Sequence, residues 1–251
     1  MTSYPPAISF VAAAVKSLLA GSVLPDKLVL YVTLEEFKDR KLPDELLELE
    51  KSSDIFEIRD YGRNIRSYRK LVPALDDFPE SIIVTVDDDV VYHKNMLRDL
   101  ITLHEKYPKD IIAHRAKRIS PDKPYKKWKK YRWYHFLSRK IHNDFSNLQT
   151  GVAGVLYPPH ALKKEMIDPA LFMEIAPTAD DIWFWAAAVA NGRKIIPVPF
   201  GKNKPKSLGK PRELSLKAVN FKGGTDRNKI YFDDILNKYP DIKKRIDDEK
   251  L

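Results

Sequence analysis

The chain of 251 residues contains no cysteine, which excludes disulfides and any site held by thiolates. It also lacks a long hydrophobic run. The longest near its start, Ile8 to Leu19, is interrupted by Lys16 and is shorter than the ~20 apolar residues that cross a bilayer. The opening Met1-Thr2-Ser3-Tyr4-Pro5-Pro6 has no basic region of the kind that begins a secretory leader. These absences point to a soluble, cytoplasmic protein in a reducing compartment. No repeat and no low-complexity linker divides the sequence, so one domain over residues 1–251 is expected. A chain of this length buries roughly 70–75% of its unfolded surface without staples.

What the chain has in excess is positive charge. Its net charge is +9 and its pI about 9.4, which favours phosphorylated or otherwise anionic partners. The excess is local. Between Arg115 and Lys140 basic residues crowd with Tyr125, Trp128, Tyr131, Trp133, Tyr134 and Phe136, and a second basic run holds Lys202, Lys204, Lys206, Lys210 and Arg212. A plain solvated surface is the competing reading of both.

Strand-like and helix-like segments alternate over the first 115 residues. Ile8, Val11, Ala12, Val15, Leu18 and Leu19 recur at helical spacing, with Gly21 as the stop. Lys27 to Thr33 reads as a buried strand, Asp44 to Lys51 as a helix, Asp54 to Arg59 as a strand and Ile65 to Leu75 as a helix with Pro73 near its end. Ser81 to Val86 is a continuous apolar strand, His93 or Lys94 to Lys106 a helix and Asp110 to His114 a strand. This rhythm predicts an α/β fold with a mainly parallel twisted sheet flanked by helices. Residues 115–150 break it and read as part helix, part loop. Strands follow at Gly154 to Tyr157 and Arg193 to Val198, and helices at Asp180 to Ala190 and Asn228 to Lys238, before a charged tail.

Asp87-Asp88-Asp89 follows the strand Ser81 to Val86 directly. Ligands of open α/β sheets bind at the carboxyl ends of strands. Adjacent carboxylates repel, and a hard cation such as Mg²⁺ or Mn²⁺, shared with substrate phosphates, relieves that repulsion. The competing reading is a solvated acidic turn. Asp180 and Asp181 open the helix that continues through Trp183 and Trp185. Either acid is a candidate general base or simply a cap at the helix start. Trp183 is a candidate pocket wall or sugar platform, and Trp185 reads as core. Gly151 and Gly154 bracket a segment where backbone can approach a ligand closely. Arg66, Arg69 and Lys70 share a helix face suited to a diphosphate, and Arg63 lies just before it. No histidine pair has zinc spacing, and His114, at a strand end, is the one nearest the candidate site.

These motifs in their order, TSYPP, SYRKLVPAL, IIVTVDDDVVYHKNML, HRAKRI, GVLYPPHAL and APTADDIWFWA, resemble bacterial glycosyltransferases of the GT-A type. The likeness is to family-2-like enzymes of surface-polysaccharide synthesis, over about residues 1–200 and more weakly 220–239. It implies a metal-dependent transfer from a nucleotide sugar to a glycan or lipid-linked acceptor, inverting, with Asp181 as base and Asp180 beside it. Asp87 and Asp89 stand at the metal-binding DxD acids, with Asp87 also toward the nucleotide ribose and Asp88 between them. Thr2, Ser3 and Tyr4 match the nucleotide-base loop, Lys70 a basic position near the donor, and Gly154 and Trp183 fall in substrate-side motifs. The resemblance assigns residues 1–114 to a nucleotide-binding half and 115–251 to an acceptor half with its tail. In a transferase the basic, aromatic stretch from Arg115 to Lys140 is expected to line the acceptor side or to rest on anionic lipid at the inner membrane face, with no nucleic-acid partner. Members of the family carry an apolar strand ahead of the TSYP element, which this sequence does not show. Two other classes compete: a haloacid-dehalogenase-like phosphatase with Asp87 as nucleophile, and a non-enzymatic polyanion-binding module built on the basic, aromatic stretch.

Overall fold

The computed structural model describes residues 1–132, 135–136, 143–199, 205–209, 211, 213 and 216–249. Of the sequence features above, Trp133, Tyr134, Lys140, His142, Lys202, Lys204, Lys210 and Arg212 lie outside the described residues.

A 3-10 turn with two prolines leads into α1 (Ile8–Leu19), which buries Ile8, Val11, Ala12 and Val15 on one stripe, as their spacing requires. β1 (Leu28–Val32) is wholly buried, and α2 (Asp44–Lys51) leads to β2 (Phe56–Asp60), which pairs with β1 in parallel. The helix expected over Ile65 to Leu75 is split. A 3-10 turn, Arg66–Lys70, ends at Leu71, and α3 (Val72–Asp77) starts afresh with Pro73 in its first turn. Proline has no N–H to continue a helix but suits a helix start. The break leaves Lys70 on the turn rather than on a helix surface.

β3 (Ile83–Thr85) ends in the acidic triplet and β4 (Val90–Val91) follows it. Next come α4 (Met96–His104), β5 (Ile111–Ala113) and β6 (Ala116–Arg118). The stretch expected to be part helix and part loop instead contributes strands: β7 (Lys129–Lys130) and β8 (Asn147–Gln149) flank β6 antiparallel. Two- and three-residue strands are too short to show a period of two in sequence. β9 (Val155–Tyr157), α5 (Pro169–Ile175), α6 (Asp180–Ala190), β10 (Ile195–Pro197), β11 (Lys206–Ser207), α7 (Leu216–Asn220), α8 (Arg227–Lys238) and α9 (Pro240–Asp248) complete the described elements. α9 replaces the expected charged tail, its Ile242 and Ile246 buried one helical turn apart.

The central sheet runs β10-β5-β9-β3. β10 and β5 are parallel, while β9 lies antiparallel to both β5 and β3. The fold is thus mixed α/β, and the expectation of a mainly parallel sheet is corrected by β9. Its strands alternate between two cores: Ile111, Ala113, Val155, Tyr157 and Ile195 face the side of α6, α8 and α9, and Ile112, Leu156 and Ile196 face α1 and α4. Burial on both faces explains why these strands read as unbroken apolar runs. β3 does not pair with β1. Between them runs a cavity of about 330 Å³ lined by Val29, Tyr31, Ile83 and Val84, and Met1 and Thr2 pair with β1 on that side. Ile82 is consequently 45% exposed, although its segment reads as the most apolar strand of the chain. No helix among the described residues is long and apolar enough to cross a membrane.

Candidate functional site

The two acid clusters, some ninety positions apart in the sequence, meet at one lysine. Lys70, 9% exposed, places its Nζ 3.2 Å from Asp87 Oδ1 and 3.0 Å from Asp180 Oδ2. Burial opposes its charge, but Asp180, then Asp87 and Asp181, outweigh burial and hold its pKa well above the ordinary value. Ser67, one turn earlier, donates its hydroxyl to Asp180 Oδ1 at 2.8 Å. The 3-10 turn therefore delivers both partners of Asp180.

Asp181 is held differently. Its carboxylate accepts the Gly151 N–H at 3.1 and 3.3 Å, and its carbonyl accepts from Gln149 Nε2 at 3.1 Å. Burial, then the neighbouring Asp180, push its pKa up to about 7 against the pull of Lys70. Neither acid caps α6; the cap position is Ala179, and no side chain bonds there. Gly151 is confined by the cluster. A Cβ at that position would lie 2.8 Å from Lys70 Nζ, 3.3 Å from Asp181 Oδ1 and 3.5 Å from Asp87 Oδ1. Only glycine lets the backbone enter there without moving the lysine.

In the acidic triplet the middle residue turns inward. Asp88 is buried and accepts from Ser3 Oγ at 2.6 Å, while Asp87 is partly exposed and its backbone N–H is held by the Tyr92 hydroxyl at 2.7 Å. Asp89 is partly exposed, and its carbonyl accepts from Leu208 N at 2.9 Å. Ser3 thereby ties the N-terminal segment to the triplet. Arg69 ties it on the other side: 2% exposed, it donates to Thr2 Oγ1 at 2.8 Å, to Ser3 O at 2.6 Å and to Thr33 Oγ1. Thr2 Oγ1 in turn donates to Tyr31 O at 2.8 Å. Tyr4 follows, half-buried, at the start of the first 3-10 turn.

The structure thus brings together Ser3, Lys70, Asp87, Asp88, Asp180 and Asp181, with Thr2 one residue from Ser3. It sets two candidates apart. Trp183 is fully buried, donates to Met166 O at 2.7 Å and packs on Phe172 and Tyr239. Gly154 has φ +97, and a Cβ there would meet Met96 Sδ at 2.9 Å, so its neighbours are core residues. Trp128, from the aromatic stretch, is likewise buried, with its indole N–H on Lys123 O. His114 is half-buried, its Nε2 on Met96 O at 2.9 Å and its pKa drawn down chiefly by burial. Ser67 and Gln149 do not stand out from the sequence as members of this cluster, whereas Gly151 and Arg69 do, through their glycine spacing and basic run. A helix-face reading of Arg66, Arg69 and Lys70 is overturned by the broken turn: Arg66 is exposed at φ 54, whereas Arg69 and Lys70 are buried.

No family model matches the chain, and no curated protein matches it. Among solved structures, that of apo UDP-glucose pyrophosphorylase is similar with a TM-score of 0.45 and 10% identity, over 92% of this chain and 87% of that one. Likeness at that level carries no argument about what this chain does.

As for a metal, Asp87 and Asp89 offer hard oxygen donors on either side of the inward-facing Asp88, which suits Mg²⁺ or Mn²⁺. Among the described residues no group of three or more His, Cys, Asp or Glu is arranged to hold an ion unaided. An ion at these two acids would need further ligands, such as the phosphates of a substrate.

Proposed function

We propose that the chain is a glycosyltransferase that moves a sugar from a nucleotide-sugar donor onto an acceptor hydroxyl, with Asp181 as general base. One observation carries this reading. Asp181 is a half-buried carboxylate oriented by a backbone N–H, raised to about 7, and joined through the Lys70 network to the acidic triplet after β3. A base works best with a pKa near the working pH and a fixed direction of attack, and the triplet lies where phosphorylated ligands meet an α/β sheet.

In this reading Asp87 and Asp89 would hold a divalent cation together with the donor diphosphate, and the cation would supply charge neutralisation for the departing nucleoside diphosphate. Lys70 contributes a fixed positive charge at the same place, already desolvated and oriented. Ser3 and Thr2, clamped by Asp88 and Arg69, shape the nucleotide side of the cleft. Asp180 positions Lys70 and is itself positioned by Ser67, so its role is orientation. Asp181 takes the proton from the acceptor hydroxyl as that oxygen attacks the anomeric carbon. A single displacement of this kind inverts the anomeric centre.

Calorimetric titration with a panel of nucleoside diphosphates and nucleotide sugars, with Mn²⁺ and with chelator, tests the reading. Binding of one nucleotide family by wild type, lost in Asp89→Ala, is expected. No donor binding, together with hydrolysis of an aryl phosphate that disappears in Asp87→Asn, would instead identify a phosphatase with Asp87 as nucleophile.

A further inference from the structure

Beyond the cluster lies a second set of charges that the transfer reaction as described does not use. Lys117, in β6, is 8% exposed. Its Nζ sits 3.4 Å above the centre of the Tyr125 ring, and among the described residues no carboxylate is in ion-pair contact with it. Arg115, in the bend just before β6, is close enough to act on Lys117 electrostatically; its carbonyl accepts from Thr150 N. Directly across the ladder from Lys117 stands Lys130 of β7. Like charges opposite one another weaken a sheet, so packing gives no reason for this arrangement.

The location supplies one. β6 pairs with β8, whose Gln149 holds the Asp181 carbonyl, and the next residues, Thr150 and Gly151, lead straight to the Asp181 carboxylate. Asp181 and Asp226 are the acids within electrostatic reach of Lys117. Asp226 is committed elsewhere, accepting from Tyr125 N and Lys229 N at the start of α8. Burial, then Lys130 and Arg115, lower the Lys117 pKa to about 8. A buried ammonium with cationic neighbours and only an aromatic face beneath it has an unmet need for an anion.

We propose, resting on the transferase reading, that the acceptor carries a compact anionic group, a phosphate or a carboxylate, which docks between Arg115 and Lys117 while its hydroxyl lies at Asp181. The anion then offsets the repulsion among Arg115, Lys117 and Lys130 and fixes the register of the acceptor against the base. A neutral sugar finds no such anchor.

The test is ligand titration by calorimetry or NMR with a hexose phosphate, a hexuronate and the neutral hexose. Wild type, Lys117→Met and Arg115→Gln are compared, each with saturating nucleoside diphosphate and Mn²⁺. Wild type should bind one charged ligand at least tenfold more tightly than the neutral hexose. Both variants should lose that preference while keeping their nucleotide affinity. Preference for the phosphate or for the hexuronate identifies the anion. Equal binding of the neutral hexose, or full anion affinity in both folded variants, overturns the proposal. If wild type binds no nucleotide yet holds the charged ligand through Lys117, the transferase reading fails and the anion site stands.

Discussion

Lys70 and Lys117 are buried to the same degree and both lie within electrostatic reach of Asp181, and their environments push them in opposite directions. Lys70 meets two carboxylates at 3.0 and 3.2 Å and is held well above its ordinary pKa. Lys117 meets the face of Tyr125 and two further cations and is lowered to about 8. Burial is unfavourable to both. The lesson is that the partner decides whether a buried charge is a structural rivet or an open binding valence. The Lys70 side is satisfied without ligand. The Lys117 side is arranged so that a ligand improves it.

Removing the rivet should have the largest effect. Lys70→Met strands Asp87 and Asp180 in a buried site, and breaking a buried pair from one side typically costs ~3–5 kcal/mol. A urea denaturation series should show a lower midpoint at unchanged slope, and turnover should fall as well. Unaltered stability would mean that the carboxylates find other partners and that Lys70 is no rivet.

Asp181→Asn should come next. Loss of a positioned general base lowers turnover by ~10²–10⁴, read in single-turnover assays with donor binding retained. Its stability effect has the opposite sign to that of Lys70→Met. Asp181 is raised from 3.8 to about 7, so the folded chain binds more protons than the unfolded chain between those values. Stability present at lower pH is therefore lost as pH rises through 7. The variant should flatten that decline, and wild-type activity should rise with pH toward a plateau above 7. Gly151→Ala is a milder perturbation, because its Cβ meets the end of a lysine side chain. Roughly tenfold lower turnover is expected, with a stability loss of about 1–3 kcal/mol from overpacking.

Lys117→Met should be the smallest and should sharpen the contrast. Replacing an uncompensated buried charge by an apolar side chain is often neutral or stabilising, so thermal unfolding at pH 7 should shift little or upward. Because the Lys117 pKa is lowered from 10.5 to about 8, the unfolded state binds more protons in that window. Wild-type stability should gain as pH rises from 8 to 10.5, and the variant should lose that gain. A large destabilisation at pH 7 would show that Lys117 is a rivet after all.

Long buried elements were legible because their periodicity is local. Ile8–Leu19 and Asp180–Ala190 form as helices over the residues expected, and the acids Asp87, Asp180 and Asp181 were recognisable from their placement beside an apolar strand and at a helix start. The strands β6 to β8 were not, since three residues carry no period. Nor could spacing say that Pro73 would restart a helix and turn Arg69 and Lys70 inward while leaving Arg66 in solvent.

The sequence by itself determined which segments are apolar enough to be buried, the α/β class, and the presence of two acid clusters needing positive charge. Tertiary structure alone decided that a single lysine bridges those clusters, that Gly151 approaches within a methyl group's width of it, that Trp183 belongs to the core and that Lys117 has no carboxylate in ion-pair contact among the described residues. These are contacts between residues up to 110 positions apart, set by how strands and helices stack, and no local pattern encodes a distance across a fold.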